Sequence, residues 1–258
     1  MSVVQNFEIS DDTLDDVSDG VIFPSGDFYS DEPPLETYLH LQQMLLFIKC
    51  LDWLWRDRND FFAAGNLTIY YSSRKLKSEK FRGPDFFVVL DTERKPRKSW
   101  VVWEEDGKYP NLIIEILSSS TRNVDKDLKK KIYQNVFRTP DYFWFDPDNL
   151  EFAGFHLVDG QYEPLQPTSQ GLLWSQQLNL YLGVYEDKLR FFTSEGELVP
   201  TPEEVAEQEM QRAEQEKQRA EQEKQRAEQE MQRAEQEKQK NDRLSAKLRE
   251  LGINADDI

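Results

Sequence analysis

Residues 112–117, Leu-Ile-Ile-Glu-Ile-Leu, leave this chain few ways to fold. A continuous apolar stretch this short suits a strand buried on both faces, as in a sheet covered by helices. The segment after it, about 124–137, reads as a helix, and Tyr142 to Phe145 supply a further strand closed by Asp146-Pro147. Strand, helix, strand in that order is a crossover unit, which joins parallel neighbours. A second strong strand, Phe-Phe-Val-Val-Leu at 86–90, follows Gly83-Pro84-Asp85. Weaker strands are expected at 67–71, after Gly65-Asn66, and at 100–103. Residues 150–192 add short aromatic strands that suit an antiparallel extension. Upstream, Leu35, Leu39, Met44, Phe47, Ile48, Leu51, Leu54 and Trp55 recur at steps of three and four and predict a helix over 35–57. The expected class is α/β, with a mixed central β-sheet flanked by helices.

The two ends differ from this middle. Residues 1–34 are acidic, interrupted by Pro24, Pro33 and Pro34, and poor in apolar residues, a composition expected of a partly disordered arm. From 201 the chain reads as a long charged helix. Thr201-Pro202-Glu203-Glu204 combines an N-cap, a first-position proline and a capping-box glutamate. A seven-residue unit close to Ala-Glu-Gln-Glu-Lys-Gln-Arg then recurs five times over 206–240. Ala at one position and Met or Lys four residues later make a thin stripe for a coiled coil, so a lone solvated helix and a weak oligomerising one both fit. The organisation expected is an arm (1–34), a globular domain (35–200) and a helix (201–258).

Charge and composition exclude several function classes. No run approaches the roughly 18 apolar residues of a membrane span, and the acidic start lacks the regions of a signal peptide. A cytoplasmic protein with no membrane partner is expected. Cys50 is the only cysteine and His40 and His156 the only histidines. A disulfide, a thiolate zinc cage and a histidine-based metal site are therefore all excluded, and any metal has to sit on carboxylates. His40 itself reads as a helix-surface or packing histidine. The net charge of −17 appears hostile to nucleic acid, but it is unevenly spread. Residues 36–200 carry 24 acids against 21 bases, which leaves room for a phosphate-binding face.

The informative anomaly is an acid inside an apolar strand. Glu115 is costly there unless it is paired, protonated or bound to a cation. Asp85 heads the neighbouring strong strand. Two such carboxylates converging at a sheet edge can hold Mg²⁺ or Mn²⁺. Equally, Glu115 can pair with a lysine of the crossover helix while Asp85 caps a turn. In that helix Asp125, Lys129 and Tyr133 stand four residues apart and share a face.

Four ordered motifs resemble the Uma-type restriction endonuclease family, abundant in cyanobacteria. They are Gly83-Pro84-Asp85-Phe-Phe-Val-Val; Pro110-Asn-Leu-Ile-Ile-Glu115-Ile-Leu-Ser118-Ser-Ser-Thr121; Asp125, Lys129 and Tyr133; and Tyr142-Phe-Trp-Phe-Asp146-Pro147. The resemblance covers about 35–190 and leaves out the arm and the heptads. It implies the PD-(D/E)XK nuclease superfamily, with a restriction-endonuclease-like core. Pro84-Asp85 matches the PD, and Glu115 the acid of the second half-motif. Leu117 stands where the general pattern has lysine. In the Uma-type group that lysine comes from the next helix, which implies Lys129, with Lys131 and Lys126 behind it. Glu36 is the match for an acid in the first helix.

The function so implied is metal-dependent hydrolysis of DNA phosphodiesters. Asp85 and Glu115 would hold Mg²⁺ (or Mn²⁺), and Lys129 would orient or activate water. Basic clusters at 74–82, 94–98 and 122–131 would track phosphates, and a homodimer would cut both strands. The alternative is a non-catalytic nucleic-acid-binding or assembly protein on a degenerate nuclease fold, with an oligomerising C-terminal helix. The missing lysine at 117 and the net charge favour that alternative.

Overall fold

A computed structural model describes residues 37–71, 81–118 and 128–250, with only the backbone of Phe81 and Arg82. The chain divides into two units, Met1–Val199 and Pro200–Ile258.

In the first unit, helix α1 (Tyr38–Leu54) begins at Thr37, whose Oγ1 accepts the His40 N–H at 3.2 Å. That cap satisfies one of the unpaired donors at the helix start. The buried face of α1 is His40, Gln43, Met44, Phe47, Cys50 and Leu51. The stripe predicted through Leu39 is therefore rotated: Leu39 is 58% exposed, and His40 takes its place. The central sheet has six strands: β1 (Phe61–Gly65), β4 (Phe86–Leu90), β6 (Leu112–Ile116), β7 (Asp141–Asp146), β8 (Glu151–Val158) and β9 (Gln161–Pro164), in that spatial order. Only β6 and β7 run parallel; the other neighbours are antiparallel. The sheet is mixed, as expected. Between β6 and β7 lies a short helix, α2 (Lys130–Ile132), that widens into a π-helical turn, Tyr133–Phe137. Two three-stranded sheets flank it: β2 (Ile69–Tyr70) between β3 (Phe81–Arg82) and β5 (Trp100–Val101), and antiparallel β10 (Leu173–Ser175), β11 (Leu180–Tyr185) and β12 (Lys188–Phe192).

The alternation of strand side chains sorts the core into two layers. Phe86, Val88, Leu112, Ile114, Ile116, Phe143 and Phe145 cluster with α1 and with β10, β11 and β12. Phe87, Val89, Ile113 and Tyr142 cluster on the other side with Trp100, Tyr133 and Phe137. Every residue of β6 is buried, which is why it reads as an unbroken apolar run. Glu115, next to Ile114 and Ile116, therefore points into the layer of Tyr133. At the far end of β7, buried Asp141 accepts from Ser175 Oγ (2.6 Å) and the Gln177 N–H (3.0 Å) and lies 2.7 Å from His156 Nδ1. Three partners offset the cost of burying that charge and tie β7 and β8 to β10.

The second unit is one helix, α3 (Pro202–Glu250), about 74 Å long at 1.5 Å per residue. Its start is the expected reciprocal box: the Thr201 N–H donates to Glu204 Oε2 (2.8 Å) and the Glu204 N–H to Thr201 Oγ1 (3.2 Å). All five heptads lie within it, laced by Gln-to-Glu bonds one turn apart such as Gln218 to Glu214. None of its residues is buried. Among the described residues, no helix is long and apolar enough to cross a membrane.

Candidate active site

The register of β4 against β6 brings two acids together. Phe86 pairs with Ile114, so one step further Asp85 stands across from Glu115. The Asp85 side chain extends the ladder where β4 has not yet begun: its Oδ2 accepts the N–H of Ile116 at 2.7 Å. Its Oδ1 lies 3.0 Å from His40 Nε2 on α1. Glu115 is fully buried, and both its oxygens are engaged. Oε1 accepts the Tyr133 hydroxyl at 2.5 Å, and Oε2 accepts Lys129 Nζ at 2.9 Å. The four-residue step from Lys129 to Tyr133 points both groups at one carboxylate. The chain then widens into the π-helical turn and leaves it through Arg138, whose φ of 53° is left-handed. Such wide turns are frequent where side chains must be aimed at a functional site.

The electrostatics follow from these contacts. Burial pushes the Asp85 carboxyl up, but the adjacent His40, the Lys129 charge and the neighbouring Glu115 outweigh it. Asp85 is thereby held below the usual carboxylate range and stays ionised at neutral pH. Burial, then the neighbouring Glu115, raises the Tyr133 hydroxyl well above its ordinary range, so it remains a donor. Two carboxyl groups facing each other from neighbouring strands share a proton or a cation. Lys129 brings a single positive charge to the pair.

A divalent ion fits this arrangement on its donor chemistry. Among the described residues, no group of three or more His, Cys, Asp and Glu is placed to hold a metal, so no all-protein cage of the zinc or calcium type is built there. Mg²⁺ needs none, because it keeps several waters and takes one or two carboxylates together with substrate phosphate. Asp85 and Glu115 supply those two. Solvent reaches the pair through Asp85, 14% exposed at its side chain, and Lys129, 21% exposed.

Other expected residues fall differently. Lys131 is exposed, and Lys130 packs its ammonium over the Phe155 ring at 3.3 Å. Glu36, Asp125, Lys126 and the basic residues at 74–80 and 122–126 lie outside the described residues. The cluster at 94–98 follows Leu90, at the end of β4 away from Asp85, and three of its four bases pair with acids. Arg94 pairs with Asp52 (2.7 Å), Lys95 with Glu93 (3.0 Å) and Arg97 with Glu105 (2.5 Å). His40 was missed because a histidine in an apolar helix reads as packing. The available signal was its position: 40, 44, 47 and 51 form one stripe, and a polar residue on a buried stripe needs a partner.

Comparison with known proteins adds three findings. The Uma2 family model, described as "Putative restriction endonuclease", matches residues 21–185. No curated protein matches the chain. Among solved structures, one neighbour is "a putative nuclease belonging to DUF820" from Anabaena variabilis, 15% identical, with a TM-score of 0.41. That match covers 56% of this chain and 75% of the neighbour.

Proposed function

Since the chain belongs to the Uma2 restriction endonuclease family, we propose that it is a metal-dependent endodeoxyribonuclease whose centre is Asp85, Glu115 and Lys129. The observation that carries this reading is the convergence of two carboxyl groups from β4 and β6 beneath a helix-borne ammonium. Asp85 and Glu115 would hold Mg²⁺ or Mn²⁺, which when bound supplies a water of lowered pKa and neutralises phosphate oxygens. Lys129 Nζ, with three donors, would stabilise the negative charge that develops at phosphorus. Tyr133 and the Ile116 N–H fix the two carboxylates so that little reorganisation is needed as charge builds.

The experiment is cleavage of a panel of nucleic-acid forms (duplex, single-stranded, branched DNA and RNA) with and without Mg²⁺ or Mn²⁺. Wild-type protein is expected to cut DNA only with metal, and Asp85→Asn to lose that cutting. Robust cutting by Asp85→Asn removes the assignment. The second reading, a non-catalytic assembly protein, draws on Leu117 in the usual lysine position and on the acid-paired bases at 94–98. It requires no cleavage and no metal binding by wild type. For α3 we propose weak self-association through its Ala and Met stripe, which sedimentation equilibrium measures directly.

A further inference from the structure

We infer that His40 is a positioning residue for divalent-metal binding at Asp85, held in place by a Gln43 clamp between α1 and β12. The inference rests on the metal-site reading above and assigns the role to a residue outside the four sequence motifs.

Three observations converge on it. His40 is 7% exposed, and its Nε2 faces Asp85 Oδ1 at 3.0 Å. That contact sets the buried ring directly against one oxygen of the carboxylate, so His40 restrains the Asp85 side chain. Next, the Thr37 cap on the His40 N–H fixes the first turn of α1. Finally, Gln43, one turn on and buried, grips a single residue of β12 from both ends of its amide. Its Nε2 donates to the Leu189 carbonyl at 2.7 Å, and its Oε1 accepts the Leu189 N–H at 3.1 Å.

With α1 so fixed, the Asp85 carboxylate is held between the Ile116 N–H, which bonds Oδ2, and the His40 ring, 3.0 Å from Oδ1. Its remaining lone pairs then point in one direction. Without His40, Oδ1 loses that restraint, and the side chain has to be ordered again each time metal binds. Outer partners of this kind typically contribute about 10–100-fold in metal affinity.

The test is Mn²⁺ affinity, by titration calorimetry or by the electron paramagnetic resonance of free Mn²⁺, on full-length protein well below its melting temperature. His40→Ala is expected to weaken Mn²⁺ binding by about 10–100-fold. His40→Gln, which returns an N–H near the place of Nε2, is expected to recover most of that loss. Leu51→Val, buried on the same helix but remote from the site, is expected to lower the melting temperature and leave the affinity alone. Unchanged affinity in His40→Ala overturns the inference. So does equal weakening in His40→Ala, His40→Gln and Leu51→Val, because that is the signature of general destabilisation. If instead Asp85→Asn and Glu115→Gln bind Mn²⁺ as tightly as wild type, the metal-site reading itself fails.

Discussion

Glu115→Gln is expected to abolish metal-dependent DNA cleavage while leaving the fold intact, and Glu115→Ala to lose both. Gln keeps an oxygen for the Tyr133 hydroxyl, which lies 2.5 Å from Glu115 Oε1, and fills the same volume in the layer of Tyr133. What it removes is negative charge at the centre. Losing one group that stabilises charge in the transition state costs about 10²–10³-fold in rate, and plasmid nicking with Mg²⁺ reads that directly. Glu115→Ala goes further: it takes the carboxylate acceptor from the Tyr133 hydroxyl and leaves a fully buried gap. Removing one partner of a buried ion pair costs about 3–5 kcal/mol, a loss visible in urea unfolding. Wild-type nicking by Glu115→Gln places the chemistry elsewhere.

Lys129→Met is expected to separate binding from chemistry. The variant loses the ammonium 2.9 Å from Glu115 Oε2 but keeps both carboxylates, so cleavage falls by about 10²–10³-fold while Mn²⁺ still binds. Stability should respond with a definite sign. Without metal, the variant is less stable than wild type, because buried Glu115 has lost its ion pair. With saturating Mn²⁺, the gap narrows, because an ion that binds only the folded state stabilises it by mass action and stands in for the lost charge. Thermal unfolding with and without Mn²⁺ checks this: a larger Mn²⁺-induced rise in melting temperature for Lys129→Met than for wild type is expected. A smaller rise would mean that Lys129 helps to hold the metal. Lys129→Arg restores charge but not the shape of a compact ammonium, so only partial recovery of cleavage is expected.

Much of the central sheet is legible in the sequence. Strands β4, β6 and β7 are buried on both faces, and an unbroken run of Phe, Val, Ile and Leu has few other destinations. The register that brings Asp85 across from Glu115 follows once those two strands pair. What escapes the sequence depends on partners far along the chain. Strand β1 reads Phe-Phe-Ala-Ala-Gly, a weak strand former by composition, and becomes a strand because it pairs with β4 from 61 to 65. The bases at 94–98 read as a phosphate rim because one of their pairing acids, Asp52, lies 42 residues away on α1. His40 reads as packing because its partner, Asp85, lies 45 residues away on another element. The widened turn at 133–137 has no local signal: an ordinary four-residue spacing already aims Lys129 and Tyr133 at Glu115.

The heptads are a different case. Their periodicity dictates a helix on its own, through strong helix formers and pairs one turn apart, and α3 is that helix. The same periodicity says little about chemistry, because it carries no side chain that reacts.

The most direct measurement of the Asp85–Glu115 site is anomalous scattering from crystals soaked in Mn²⁺. The expected result is a single strong peak at Asp85 and Glu115, absent from Glu115→Gln crystals. A peak elsewhere, or none at Mn²⁺ concentrations that support cleavage, contradicts it.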